Sequence, residues 1–379
     1  MGNSSAAPPL LPSTPARVAP GSSRFLREFV DTLTHAATIR HMATGILDMV
    51  EGAYATDIDG QEWLAQLTGG FASRFPNVVG WGGHVISKSA DGPPTFHHAV
   101  LTEVEDAMTV FGPMHTNMDP AFAEAIFPTG TQCALFSEHW ERVQAQRSWD
   151  AGTLEVVRGL QDYLRLRGGD DLLFCYSYDR NGTGVLLAGI VDGKPKLGHR
   201  VRHIHRRAAV HVAAGLRMRR ALATAPLDDH SEAVFEADGR LAHAAGRATY
   251  GDVRDRLREA VRRVDRARTD AVRHEEVEAL ELWQGLVEGR WSLIDRYDTD
   301  GRRYYVAMAN PPEGVDARQL TAVEAQVTAQ VVAGEPNGII AYSLGVSEST
   351  VAGHLRNAMR KLGARSRIEL IRVARALGA

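Results

Sequence analysis

The sequence predicts a multidomain α+β chain, with antiparallel sheets and helices followed by an all-α domain of four helices. Three observations carry that expectation. Two apolar, β-rich runs, 171–178 and 184–191, flank Asp179, Arg180, Asn181 and Gly182, and Asn-Gly between such runs marks a hairpin because both residues tolerate positive φ. The pattern of strands, turn residues and charged helices then recurs at smaller scale between 233 and 308. Past the turn-forming stretch Asn310, Pro311, Pro312, Glu313 and Gly314 the strand signals stop, and helical spacing with cap residues takes over. A chain of 379 residues, 44% hydrophobic and 23% charged, is long enough for two or three such cores.

Residues 1–23 are rich in Pro, Ser and Ala, carry no periodic apolar signal and are expected to lack fixed structure. From Phe25 to about Tyr54 the apolar residues Phe29, Leu33, Ala36 or Ala37, Met42, Ile46, Leu47 and Val50 recur at helical spacing. Asp57 to Gly60 break the run, and a second helix is expected from Gln61 to about Phe71. Val78 to Ser87 and Thr95 to Leu101 read as a hairpin around Asp91, Gly92, Pro93 and Pro94. Helices are expected near Pro120 to Ala125, Ser137 to Gln146 and Leu154 to Leu166, and the hairpin of 171–191 leads into a long basic helix from His199 to about Leu222. In the smaller repeat, Ala233 to His243 form a hairpin around Asp238 and Gly239, and charged helices fill Tyr250 to about Glu288. Strands Trp291 to Tyr297 and Arg303 to Met308, joined by Asp298 to Gly301, close it. The expected domains are 24–224, 225–312 and 313–379.

In the last of these, Thr321 and Glu324 match a capping box, so a helix starts at Ala322. Val323, Val327 and Val331 line one face of it, and Gly334 ends it. A second helix, Asn337 to Leu344, offers Ile339, Ile340 and Leu344 to the core; Gly345 permits a tight turn, and Ser347 caps a third helix reaching about Leu362. Val351, Leu355, Ala358 or Met359, and Leu362 form its buried stripe. Ser349, Gly353, Arg356 and Arg360 lie about opposite, flanked by Thr350, His354, Asn357 and Lys361. Two short helices joined by a glycine turn, the second with a polar and basic face, suit insertion in the major groove of double-stranded DNA. Ile368, Ile371 and Ala374 supply a fourth helix. The charge agrees: the last sixty residues carry +3 and the remainder −6, which places a basic module on an acidic body.

Leu320, Thr321 and Glu324, the run Val331 to Gly334, the stretch Ile340 to Val351 with Leu344, Gly345, Val346, Ser347, Glu348, Thr350 and Val351, then His354, then Arg360 to Arg367, resemble the LuxR-type signature in order and spacing. The resemblance implies a one-component bacterial transcription regulator whose output domain binds DNA as a homodimer, the third helix reading bases and the fourth commonly pairing subunits. By that likeness Thr350, His354, Asn357, Lys361 and Arg367 are candidate backbone contacts and Ser349 and Arg356 candidate base contacts, with Gly353 and Arg360 on the same reading face. RNA polymerase is a candidate partner. Ala352 stands where the family usually has Lys, followed by Gly353, and Pro336 and Gly338 replace the usual polar cap and Lys. These departures motivate an alternative in which a degenerate output domain acts through protein contacts without sequence-specific DNA binding. The helices, strands and long exit helix of 24–224 resemble a GAF- or PAS-like sensor domain, and 225–312 resembles a smaller PAS-like segment. The signal, a small molecule or a protein, is not specified by any motif.

Other chemistry is disfavoured. His199, His203, His205 and His211 meet metal-ligand spacing only loosely and have no partnering carboxylate, so the four read as part of a solvated basic face with Arg200, Arg202, Arg206 and Arg207. Cys133 and Cys175 sit far apart in unrelated surroundings, with no disulfide framework, and Cys133 with His139 shows no activating constellation. Asp298 to Gly301 fall short of a calcium loop, because Arg296 and Ala307 occupy the first and twelfth ligand positions. No phosphate loop ending in Gly-Lys-Ser or Gly-Lys-Thr is present, nor the acidic pocket of a receiver. The chain is therefore expected to be no enzyme and to need neither cofactor nor metal. No apolar run approaches a membrane span and the start lacks the marks of a signal peptide or myristoylation site, so a cytoplasmic location is expected. Trp63, Phe71, Phe75, Trp81 and Phe96 are core residues or the lining of a pocket.

Overall fold

The computed structural model describes residues 45–376 apart from 76, 89–93, 105–117, 129, 179–181, 194, 225–230, 284–285, 288–290, 298–301, 310–319 and 363. The tail 1–23, most of the first expected helix, the turn residues 91–93, 179–181 and 298–301, and the linker at 310–314 lie outside the described residues.

The first helix is described as α1 (Ile46–Ala53), followed by α2 (Gly60–Ala72), whose N-terminus is capped by the Asp59 carboxylate accepting from the amides of Gln61 and Glu62. Strands β1 (Val78–Ser87) and β2 (Thr95–Thr102) pair antiparallel, as the expected hairpin requires. Then come α3 (Pro120–Ile126), β3 (Thr131–Leu135), α4 (Phe136–Gln144), α5 (Ala151–Leu166), β4 (Asp171–Tyr178), β5 (Thr183–Val191) and α6 (His199–Thr224). The five strands form one antiparallel sheet in the order β2-β1-β5-β4-β3. Strand β3 is absent from the sequence expectation: four of its five residues are buried, so it shows none of the inside-outside alternation by which a strand is recognised. Helices α2 and α6 pack on one face of the sheet and α3, α4 and α5 on the other.

A second sheet repeats the topology. Strands β6 (Ser231–Glu236), β7 (Leu241–Ala244), β8 (Leu286–Val287), β9 (Trp291–Tyr297) and β10 (Arg303–Ala309) lie in the order β7-β6-β10-β9-β8, the same succession as the first sheet. Helices α7 (Gly251–Ala267), α8 (Asp270–Arg273) and α9 (Glu276–Leu282) belong to it. Helix α7 turns Val253, Leu257, Val261 and Val264 inward and its arginines outward. The expected helical stretch to Glu288 ends early. Trp283 is already extended, at φ −70 and ψ 124, its ring stacks on Tyr54, and Leu286 and Val287 pair with β9 instead.

Helices α10 (Ala322–Val332), α11 (Asn337–Leu344), α12 (Glu348–Leu362) and α13 (Arg367–Ala376) close around Val327, Val331, Ile340, Val351 and Leu370, all fully buried. The described residues belong to one compact unit.

Two sequence expectations are corrected, at α6 and at the pair β3 and β4. The histidines of α6 do not share a solvated basic face: His205 and His211 are only 3% and 4% exposed, because the helix is packed against β3, β4 and β5 on one side and against α9 and α11 elsewhere. The cysteines are not in unrelated surroundings either, since Cys133 and Cys175 stand directly opposite each other across β3 and β4, both buried and both free thiols. The adjacent Cys133 thiol and burial together push the Cys175 thiol far above the usual range, which makes it a poor nucleophile.

Candidate nucleic-acid interface and an apolar cavity

The C-terminal helices are set by local chemistry that the sequence shows. The Thr321 amide donates to Glu324 Oε2 at 2.8 Å and the Glu324 amide donates to Thr321 Oγ1 at 3.3 Å, closing the capping box. Between α11 and α12, Gly345 takes φ +65, a left-handed conformation that a side chain would strain, and the Val346 amide returns to Ala341 O at 3.0 Å. Ser347 Oγ accepts from the Thr350 amide at 3.1 Å and lies 2.7 Å and 2.8 Å from the hydroxyls of Ser349 and Thr350. Those two hydroxyls therefore help to seat the start of α12.

Along α12 the buried residues are Val351, Leu355 and Ala358, so the opposite side is turned outward. Ser349, Thr350, Arg356, Asn357, Arg360 and Lys361 are exposed, and Gly353 and His354 are half-buried. The candidate reading residues thus share one accessible side of one helix. Two candidate phosphate contacts have intramolecular partners. Lys361 Nζ donates to Glu324 Oε2 at 2.7 Å. Burial acts to raise the Glu324 carboxyl, but the Lys361 ammonium and the Thr321 amide prevail and hold it below the usual range. Arg367 donates through Nη1 to Asn337 Oδ1 at 2.8 Å and through Nη2 to the Glu335 carbonyl, pinning the start of α13 to the start of α11.

Sequence reasoning missed the surface by which these helices dock on the rest of the chain. Glu335, only 5% exposed, accepts from the Thr131 amide through Oε1 and from Arg206 Nη2 through Oε2 at 3.1 Å. Burial raises its carboxyl above the usual range despite Arg206. Gly130, at φ +105, lies so close that a Cβ there would stand 2.8 Å from Glu335 Oε1 and 3.0 Å from the Ala333 carbonyl. Further along α6, His211 is enclosed by Tyr54, Trp283 and Tyr342, with ring centroids 5.8, 6.4 and 5.3 Å away. Its Nδ1 is 2.8 Å from the Tyr54 hydroxyl and its Nε2 is 2.7 Å from the Tyr342 hydroxyl. Burial and the nearby Arg207 push His211 down to about 3. The neutral ring has one donor and one acceptor nitrogen, so one tyrosine accepts from it and the other donates to it. The guanidinium of Arg207 covers the Tyr342 ring at 4.6 Å. The signal that could have revealed this surface is a set of polar residues at core positions, Glu335 and Tyr342 among them, but their partners are more than a hundred residues away in sequence.

The first sheet holds an apolar cavity of about 160 Å³ on the face covered by α3 and α5. Trp81 and Phe96 line it, together with Phe122, Tyr163, Phe174 and the half-buried Ala188. Of the other aromatic candidates, Trp63 and Phe71 are wholly buried among core residues away from the cavity, and Phe75 packs on Phe71 and His205. An apolar cavity near 150 Å³ accommodates a benzene-sized molecule, so this one suits a single ring or a short alkyl group. Among the described residues no group of three or more His, Cys, Asp or Glu could hold a metal ion, and no helix is long and apolar enough to cross a membrane.

Residues 318–374 match the family described as bacterial regulatory proteins, luxR family. The chain is 39% identical over 72 residues to the HTH-type transcriptional activator RamA of Corynebacterium glutamicum, covering 19% of this chain and 26% of that protein. It is 48% identical over 90 residues to the transcriptional regulatory protein FixJ of Rhizobium meliloti, covering 23% of this chain and 44% of that protein. The chain thus matches less than half the length of either relative. Among solved structures, Escherichia coli SdiA aligns over 92% of this chain and 98% of its own at 11% identity and a TM-score of 0.28, too slight a likeness to support a conclusion.

Proposed function

We propose, from the premise that residues 318–374 are a helix-turn-helix domain of the luxR family, that the chain is a transcription regulator binding double-stranded DNA as a homodimer through α12. The observation that carries this is the exposed side of α12, where Arg356, Asn357 and Arg360 project from a helix anchored by a glycine turn. Arg356 reads bases, and Arg360, Thr350 and His354 contact the backbone. Ala352 and Gly353 leave part of that side without donors, and Arg356 supplies the base-reading chemistry they lack.

The two sheet units serve as the sensor in this reading, GAF- or PAS-like in kind. A small apolar molecule in the cavity beside Trp81 and Phe96 is the signal, and α6 couples it to the output helices through Arg206, Arg207 and His211. Such a signal acts only if it binds one arrangement of the output domain better than another.

Titration of fluorescent duplex DNA with the full-length protein at several salt concentrations tests the DNA reading. Saturable binding that weakens steeply with salt is expected; no saturable binding at any salt contradicts it. Indole is a suitable probe for the cavity. It should raise the melting temperature of the wild type and leave Ala188→Phe, which fills the space, unmoved.

A further inference from the structure

A second concavity, of about 480 Å³, opens where the first two turns of α6 meet β3 and α4. Its charged lining is Glu138 and Arg142 from α4 and His199, Arg202, His203 and Arg206 from α6. Three guanidiniums face one carboxylate there. Each guanidinium is anchored through Nε on a backbone carbonyl: Arg142 on Glu138 O at 3.2 Å, Arg202 on Leu197 O at 2.9 Å and Arg206 on Thr131 O at 3.1 Å. That anchoring fixes the planes of the three forks, so the rotamer freedom an arginine normally loses on binding is already restricted.

From this geometry we propose that the concavity is a binding site for a small organic polyanion, bearing phosphate or carboxylate groups, and that the ligand shares Arg206 with the docked output helices. The excess of positive charge excludes a cation and favours an anion with several oxygens, which guanidinium forks bind in pairs. The volume lies within the usual range for small-molecule sites and exceeds what a single inorganic phosphate fills. His203 fits the role of neutral donor, since burial and then Arg207 hold its ring below the usual histidine value. Arg202 Nη2 now rests on Glu138, within the lining, and Arg206 Nη2 on Glu335, outside it, so oxygens of the ligand would compete with these two carboxylates for the guanidiniums. Binding would therefore draw Arg206 away from Glu335 and loosen the docking of α11. The site is separate from the apolar cavity and does not depend on how α12 meets DNA.

The test is calorimetric titration of the full-length protein with inorganic pyrophosphate and, separately, with citrate, using sodium chloride at matched ionic strength as control. One of the two anions should bind saturably, and the preferred one identifies phosphate or carboxylate as the recognised group. Arg142→Gln, at an exposed position, should weaken that binding about ten-fold, and His199→Gln should weaken it by a smaller factor. Glu335→Gln should tighten it several-fold, because the carboxylate competing for Arg206 is gone. Unchanged circular dichroism would confirm that each variant is folded. Absence of saturable binding up to about 10 mM of either anion, or binding indifferent to Arg142→Gln, would overturn the site. Affinity unaltered in Glu335→Gln would overturn the sharing of Arg206.

Discussion

Nε2 of His211 lies 2.7 Å from the hydroxyl of Tyr342, a partly buried bond between α6, the longest helix of the first sheet unit, and α11. The same ring bonds Tyr54 through Nδ1 and meets Trp283 edge-on, so residues from all three parts of the chain converge on one imidazole. Tyr342→Phe keeps the packing but leaves a ring nitrogen without its partner in a dry site. The expected cost is about 1–3 kcal/mol, read as a lower urea midpoint at unchanged slope. Faster amide exchange in α11 would locate the loss.

Gly130→Ala should act on the same interface from the other side. The new methyl would sit 2.8 Å from Glu335 Oε1 on a backbone at φ +105, so both the contact and the conformation are strained. A loss of about 1–3 kcal/mol is expected. Gly52→Ala, inside α1 with nothing within 4 Å of the added carbon, is the control and should be neutral or stabilising by up to about 1 kcal/mol.

Acid should weaken the fold through the buried histidines. His211 is held at about 3 when folded, by burial and Arg207, against about 6.5 for an exposed imidazole. Between those values the unfolded chain binds a proton that the native chain does not, so stability is lost as pH falls below about 6.5. Burial shifts His139, His203 and His205 in the same direction. Urea midpoints at pH 7, 6 and 5 should therefore fall in the wild type and fall less steeply in His211→Gln; equal slopes would contradict the assignment.

Arg360 and Lys361 are adjacent basic residues with different expected roles. Arg360→Ala should weaken all duplex DNA alike and lower the salt slope by about one, with stability unchanged. Lys361→Met removes the partly exposed cation from the Glu324 cap, 5% exposed on its side chain, and should destabilise the C-terminal helices by about 1 kcal/mol. Melting curves and salt titrations of both variants separate the two effects.

The C-terminal helices were legible because their determinants are local. The Thr321 and Glu324 box, Gly345 and the Ser347 cap each act over three or four residues, and the expected span Asn337 to Leu344 is the span observed. The hairpin strands β4 and β5 were legible for the same reason. Strand β3 was not, because a strand buried on both faces has no alternation, and the pairing of Cys133 with Cys175 follows from β3 alone. The burial of His205 and His211 was hidden because composition reports charge along α6 but not what covers it. Docking contacts such as Arg206 with Glu335 join residues 129 apart, and only the tertiary fold brings them together.

The most direct test is selection of genomic DNA fragments by the purified full-length protein at near-physiological salt, repeated with Arg356→Ala. Enrichment of a two-fold symmetric motif by the wild type is expected, with its loss in the variant and residual salt-sensitive binding retained. Enrichment of the same motif by both proteins would remove Arg356 from base reading, and no enrichment by the wild type would contradict sequence-specific regulation through α12.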